Sequence, residues 1–209
     1  MKNLILLGGG GHCKSVIDVA ESAGFTILGV LDKPEMAGQR ILNYSVVGTD
    51  DDIPSYVDKA LFLITVGQIK SNTTRVRLAK LVQDVGGKFA TVIAKDANVS
   101  QYATIGEGTV IMHNAVVNAD AKIGEQCIIN TMADIEHDVK IGDFCHISTA
   151  AVVNGEVKIG NNVFVGSGTI VHNGKSITDD VVVSAGSVVS RNLDKSGVYA
   201  GNPVKFYKI

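Results

Sequence analysis

The chain predicts two architectures in series: a small Rossmann-like parallel α/β unit over residues 1–90 and a parallel β-helix of hexapeptide repeats over 91–209. Two observations predict them. In the first ninety residues short apolar runs alternate with helical patterns, which is the order of a parallel sheet. From residue 93 to 189 every sixth residue is Ile or Val: Ile93, Val99, Ile105, Ile111, Val117, Ile123, Ile129, Ile135, Ile141, Ile147, Val153, Ile159, Val165, Val171, Ile177, Val183 and Val189. A helix repeats its apolar residues at 3.6 and a half-solvated strand at 2, whereas six is the period of stacked β-helix coils. A β-sandwich has loops of varying length and does not hold one register over so long a run.

In the first unit, Asn3–Leu7 reads as a buried strand and is followed by Gly8, Gly9, Gly10 and Gly11. His12–Ala23 carries a helical apolar pattern through Val16, Ile17, Val19 and Ala20. Phe25–Leu31 is a second strand ending at Asp32, and Ala60–Val66 a third ending at Gly67. Arg75–Val85 is helical, and Lys88–Ile93 is a last strand leading into the repeats. A glycine turn between a first strand and a helix lets backbone amides approach a diphosphate at a helix N-terminus, and Asp32 stands where an acid takes ribose hydroxyls. The fingerprint is incomplete, because Cys13 occupies the third glycine position and the unit is too short for both halves of a dinucleotide site.

In the repeats, the residue two before each aliphatic is small or thin: Ala97, Ala103, Thr109, Ala115, Ala121, Cys127, Ala133, Val139, Cys145 and Ala151. Residues two apart lie on one side of a strand, so both positions fill a narrow interior. Gly106, Gly124, Gly142 and Gly160 recur at intervals of eighteen, with Asn118, Asn130 and Asn154 between them, and are expected to make the turns. Three hexads then form one triangular coil, and residues eighteen apart stack at ~4.8 Å.

The net charge of −2 and pI near 6.2 offer no electrostatic case for nucleic acid. No apolar stretch is long enough to cross a membrane, and Met1–Leu7 reads as a strand rather than a signal peptide. Cys13, Cys127 and Cys145 make an odd set, the last two at interior positions, so packing explains them better than disulfides. A cytoplasmic protein is expected.

Among five histidines, His137 stands out. Glu136 and Asp138 flank it, and its neighbours one coil away are Ala119 and Gly155, which leave room for a substrate. A base, an orienting acid and the Gly155 backbone N–H are the parts that acyl transfer needs. His113, His137, His146 and His172 are separated by 24, 9 and 26 residues, none a multiple of eighteen, so no two stack as metal ligands within one chain and no metal is expected.

Three segments, Gly8–His12 (GGGGH), Ile135–Gly142 (IEHDVKIG) and Ala200–Lys205 (AGNPVK), resemble in order the sialic acid O-acetyltransferase/PglD-like group of hexapeptide acyltransferases, and the similarity covers nearly the whole chain. The resemblance implies that the β-helix is left-handed, that the chain forms a homotrimer, and that acetyl-CoA is the cosubstrate, held between adjacent coils. It implies a nucleotide-linked amino sugar in the N-terminal unit. Well-understood members acetylate the 4-amino group of UDP-linked 4-amino-4,6-dideoxy sugars, so N-acetylation for surface glycan synthesis is the expected activity. UDP leads, with GDP and dTDP open. By position, His137 resembles the general base, Asp138 falls where such enzymes often have Glu, and Gly155 resembles the oxyanion donor. His146, Ser167 and Ala185 fall at CoA-contacting positions, and Gly10, Gly11, His12, Asp32, Lys33 and Gly67 match sugar-nucleotide contacts. O-acetylation of sialic acid is the nearest alternative. A non-catalytic β-helix or a metal-dependent hydratase is a rival from another class.

Overall fold

The computed structural model describes residues 2–207. One compact unit runs to Lys95 and the other begins at Asp96, the short segment Ile69–Ser71 grouping with the second.

In the first unit, β1 (Lys2–Leu7) and β2 (Phe25–Leu31) are joined through α1 (Gly11–Ser22). Leu4, Ile5, Leu6 and Leu7 are fully buried on both faces of the strand, the continuous apolar run of a central parallel strand. A hairpin follows, β3 (Arg40–Ile41) and β4 (Tyr44–Gly48), then β5 (Leu61–Ile64) and α2 (Thr73–Asp84). The sheet order is β3-β4-β2-β1-β5, with every pair parallel except the β3–β4 hairpin. The expected strand at Lys88–Ile93 is mostly absent: Phe89 bridges Phe62 alone, and only Val92–Ile93 is extended strand. β5 is short, and Gly86–Gly87 turns the chain back to its edge for one bridge.

The second unit is a left-handed parallel β-helix with three flat faces. Face 1 stacks Asn98–Val99, Val116–Val117, Asp134–Ile135, Val152–Val153, Ile170–Val171 and Val188–Val189. Face 2 stacks Thr104–Ile105, Lys122–Ile123, Lys140–Ile141, Lys158–Ile159 and Ser176–Ile177. Face 3 includes Val110–Ile111, Ile128–Ile129, His146–Ile147, Phe164–Val165 and Val181–Val183, and is extended by Gly197–Ala200 and the antiparallel Lys205–Tyr207. Partners are eighteen residues apart throughout the coil, as Val117 with Ile135 and Ile135 with Val153 show. Inside, Ile135, Ile147 and Val153 meet the thin column Ala115, Ala133 and Ala151, all fully buried. Cys127 and Cys145 belong to that interior; their thiols donate to the carbonyls of Gly142 and Gly160 at 3.1 and 3.0 Å.

The turns differ from expectation. From Ile105 to Val183 the left-handed residues are three places after each aliphatic, as in Gln126, Met132, Asp138, Phe144, Ala150 and Glu156 with φ between 53° and 64°. The glycine column at 106, 124, 142 and 160 instead clears the coil above: a Cβ on Gly142 would stand 2.8 Å from the carbonyl carbon of Gly160.

Candidate active site

His137 lies on the corner joining face 1 to face 2, in the turn between Asp134–Ile135 and Lys140–Ile141. Its successor Asp138 has φ 62°, a left-handed conformation that Asp adopts more readily than most residues. That turn sets the carboxylate beside the ring, and His137 Nδ1 lies 2.8 Å from Asp138 Oδ2. A carboxylate only accepts, so Nδ1 carries the hydrogen and Nε2 is left as the basic nitrogen. The ring is more than half exposed. The hydrogen bond to Asp138, helped by the charges of Asp138, Glu136 and Glu156, raises the His137 pKa above its ordinary 6.5. Glu136 is held in turn by Asn118 Nδ2 at 3.0 Å.

Gly155 sits one coil further on. A Cβ there would meet His137 Cε1 at 2.7 Å and Nε2 at 2.8 Å, so the imidazole lies directly against the bare backbone. The Gly155 N–H donates to no backbone or side-chain acceptor among the described residues, while its carbonyl accepts from Gly174 at 2.9 Å. A base, its orienting acid and an available backbone donor therefore meet on one corner.

The residues expected at CoA are elsewhere on the coil. Ser167 and Ala185, both exposed, stack with Thr149 on the corner joining face 3 to face 1. Ser167 Oγ pairs with Ser148 Oγ at 2.9 Å. His146 is on face 3 and only 7 % exposed, its ring edge-on to Phe164. Asn130 Oδ1 accepts from the Thr131 N–H at 2.8 Å, which turns the amide nitrogen toward His146 Nε2 at 3.1 Å. Face 1 separates this group from His137 by a hexad, a span of up to ~20 Å, so one chain does not bring the two groups together. The outer column of face 1 is apolar at Val116, Val152, Ile170 and Val188 and polar at Asn98 and Asp134. Among the described residues Asp134 Oδ1 has no hydrogen-bond partner, and burial followed by the Glu136 charge raises its pKa.

In the first unit, all six residues expected at the sugar nucleotide line one cleft of about 450 Å³ at the carboxyl ends of the strands: Gly10, Gly11, His12, Asp32, Lys33 and Gly67. The cleft lies where the strand order reverses around β1, the usual ligand position in an open α/β sheet. Asp32 already has work there. Its Oδ2 accepts from the Gly9 N–H at 2.6 Å and its Oδ1 from the Lys33 N–H at 2.7 Å, so it shapes the glycine turn as well as facing the cleft. Thr65 Oγ1 donates to the carbonyl of Gly8 at 2.5 Å, fixing the same turn from β5's side. Cys13, buried behind it, is pushed up to about 11 by loss of solvent. Two arginines that sequence reasoning missed support the strand ends nearby. Arg75, 1 % exposed on α2, donates from Nη1 to the carbonyls of Ile64 and Val66 at 3.1 and 2.7 Å. Arg77, also on α2, pairs with Asp50 at 2.8 Å. No single-residue signal marks either, since an arginine in a helix ordinarily reads as a solvated face.

A β-helix of hexads bearing a carboxylate-backed histidine against a glycine of the next coil defines a hexapeptide acyltransferase. Comparison with known proteins agrees. Residues 3–82 match the PglD N-terminal domain family, and residues 102–133 match the bacterial transferase hexapeptide (six repeats) family. PerB from Caulobacter crescentus, solved with CoA and GDP-perosamine, is 33% identical over 100% of this chain and 98% of its own, with a TM-score of 0.91. A mutant of perosamine N-acetyltransferase from the same organism is 31% identical, with the same coverage and a TM-score of 0.93. The acetyltransferase domain of PglB from Neisseria gonorrhoeae, in complex with acetyl coenzyme A, is 28% identical over 99% of each chain, with a TM-score of 0.91. Comparison with curated proteins finds no match. The chain belongs to the PglD-like family of hexapeptide-repeat sugar acetyltransferases.

Proposed function

We propose that this enzyme transfers the acetyl group of acetyl-CoA to the 4-amino group of a nucleotide-linked 4-amino-4,6-dideoxy sugar, for surface glycan synthesis. The observation that carries the reading is the His137–Asp138 pair lying against Gly155. His137 Nε2 accepts the proton of the amine as its nitrogen bonds to the thioester carbonyl carbon. The Gly155 N–H donates to the carbonyl oxygen while it bears the negative charge. The C–S bond then breaks, and the imidazolium returns its proton to the departing CoA sulfur. Asp138 holds the tautomer that makes Nε2 the base.

The active unit in this reading is a homotrimer. His137 with Gly155 and Ser167 with Ala185 occupy the two corners that bound face 1. Three copies turning face 1 toward a common axis bring one corner of each chain beside the opposite corner of its neighbour, and closed rotational symmetry repeats that site three times. The apolar column Val116, Val152, Ile170 and Val188 is then the surface buried at the axis.

The N-terminal cleft favours a nucleotide-linked acceptor over free sialic acid, because the glycine turn and the α1 N-terminus suit a diphosphate that free sialic acid lacks. The sequence resemblance puts UDP first as the carrier, while PerB was solved with GDP-perosamine. Both substrates belong to the cytoplasm, and no helix among the described residues is long and apolar enough to cross a membrane. The test is CoA release from acetyl-CoA with UDP-, GDP- and dTDP-linked 4-amino-4,6-dideoxy sugars and with free sialic acid. Release with an amino sugar that falls by ~10²–10⁴-fold in His137→Ala supports the reading; release with sialic acid alone overturns it.

A further inference from the structure

The cleft of the first unit has a side lobe of about 230 Å³, lined by Gly8, Asp32, Lys33, Asp50, Val66, Thr74, Arg77 and Leu78. Gly8, Asp32, Lys33 and Val66 also line the main cleft, so the two spaces adjoin along the carboxyl ends of the strands. The lobe is smaller than a pocket for a whole drug-sized ligand and is the size for one ring system. It reaches past the end of β4 to Asp50 and to the first turns of α2.

Its polar lining is Asp32, Lys33 and Thr74 together with one side-chain pair, Arg77 and Asp50. Arg77 Nη2 donates to Asp50 Oδ2 at 2.8 Å, and neither side chain has another side-chain partner among the described residues. Asp50 Oδ1 and the other N–H groups of Arg77 are therefore available to a ligand. Asp32 is different: its two oxygens already hold the amides of Gly9 and Lys33. The lobe thus presents a row of donors beside a row of acceptors, with Val66 and Leu78 as apolar wall.

Resting on the reading that the main cleft holds a nucleoside diphosphate, we infer that the side lobe seats the nucleobase and that Asp50 and Arg77 select guanine. Guanine carries N7 and O6 acceptors next to N1–H and N2–H donors along one edge, which matches arginine followed by carboxylate. Arg77 then donates to O6 or N7, and Asp50 accepts from N1–H and N2–H. Uracil and thymine offer O4 to Arg77 and N3–H to Asp50, but set O2 against the second carboxylate oxygen. Adenine and cytosine invert the order, placing an amino group against the guanidinium and a ring-nitrogen acceptor against the carboxylate. The expected ranking is guanine first, uracil and thymine next, adenine and cytosine last. Under this inference GDP is the expected carrier, ahead of the UDP that the family resemblance puts first.

Titration calorimetry of the intact chain with GDP, UDP, dTDP, ADP and CDP tests it. GDP should bind on the order of 10–100-fold more tightly than UDP, with ADP and CDP weakest. Asp50→Asn should remove most of the guanine preference while UDP affinity changes little, with circular dichroism confirming the fold. The ranking by the unaltered protein is decisive even if that variant is unstable. Equal affinities, UDP as the tightest ligand, or an unaltered preference in a folded Asp50→Asn variant overturns the base assignment and leaves the nucleotide reading standing. Binding of none of the five overturns both.

Discussion

His137 Nδ1 and Asp138 Oδ2 are 2.8 Å apart although the residues adjoin in sequence, because Asp138 takes a left-handed backbone conformation. The bond stabilises the imidazolium, so the His137 pKa is raised and the free base dominates only at a pH above that raised value. Activity should therefore fall on the acid side at a pH higher than an ordinary histidine would produce, near 6.5. In Asp138→Asn that acid limb should move to lower pH, while the maximal rate drops because the tautomer is no longer held. A profile of kcat/KM against pH for both proteins checks this; an unmoved limb would separate Asp138 from the titration.

Gly155→Ala places a methyl group where the imidazole lies, within 3 Å of Cε1 and Nε2. The ring can swing outward, so the fold should survive with a Tm within a few degrees of the parent. The base is then misplaced relative to the Gly155 N–H, and turnover should fall by ~10²-fold or more. Thermal unfolding and CoA release together test the split.

If each site takes His137 from one chain and Ser167 from its neighbour, defects at the two corners complement. His137→Ala chains and Ser167→Trp chains should each be inactive as pure proteins. Co-expressed and mixed at random, they should regain roughly one functional site in four. Activity absent from the mixed trimers would place both groups in the same site of one chain.

Gly142 faces the backbone of the next coil with no clearance for a side chain. Its Cβ would lie 2.8 and 2.9 Å from the carbonyl carbon and oxygen of Gly160, atoms locked in the coil. Gly142→Ala should cost ~1–3 kcal/mol as overpacking does, read as a lower urea midpoint. The αL positions should behave oppositely. Ala150 has φ 55°, and Ala150→Gly should keep or raise stability.

The coil was legible because its register is arithmetic: a buried aliphatic at every sixth residue fixes which residues stack, and that alone puts Gly155 over His137. The turn conformation was not legible. Met132, Phe144 and Glu156 have no preference for the left-handed region and adopt it because the ladders on either side leave no other path. In the first unit β1, β2 and the glycine turn carry strong local signals, whereas β3 and β4 are short and lie in a stretch without a long apolar run. Arg75 and the Asp50–Arg77 pair depend on contacts between distant segments, which no local pattern reports.

The triangular coil also sets a counting rule for the gene that encodes it. Inserting eighteen codons between two coils lengthens the prism by one storey and leaves every corner residue on its own edge. Inserting six turns everything downstream through a third of a revolution, so that Gly155 no longer lies over His137. Length variation in this fold is therefore tolerated in units of whole coils, and related chains of different length should keep the interval from catalytic histidine to facing glycine at eighteen.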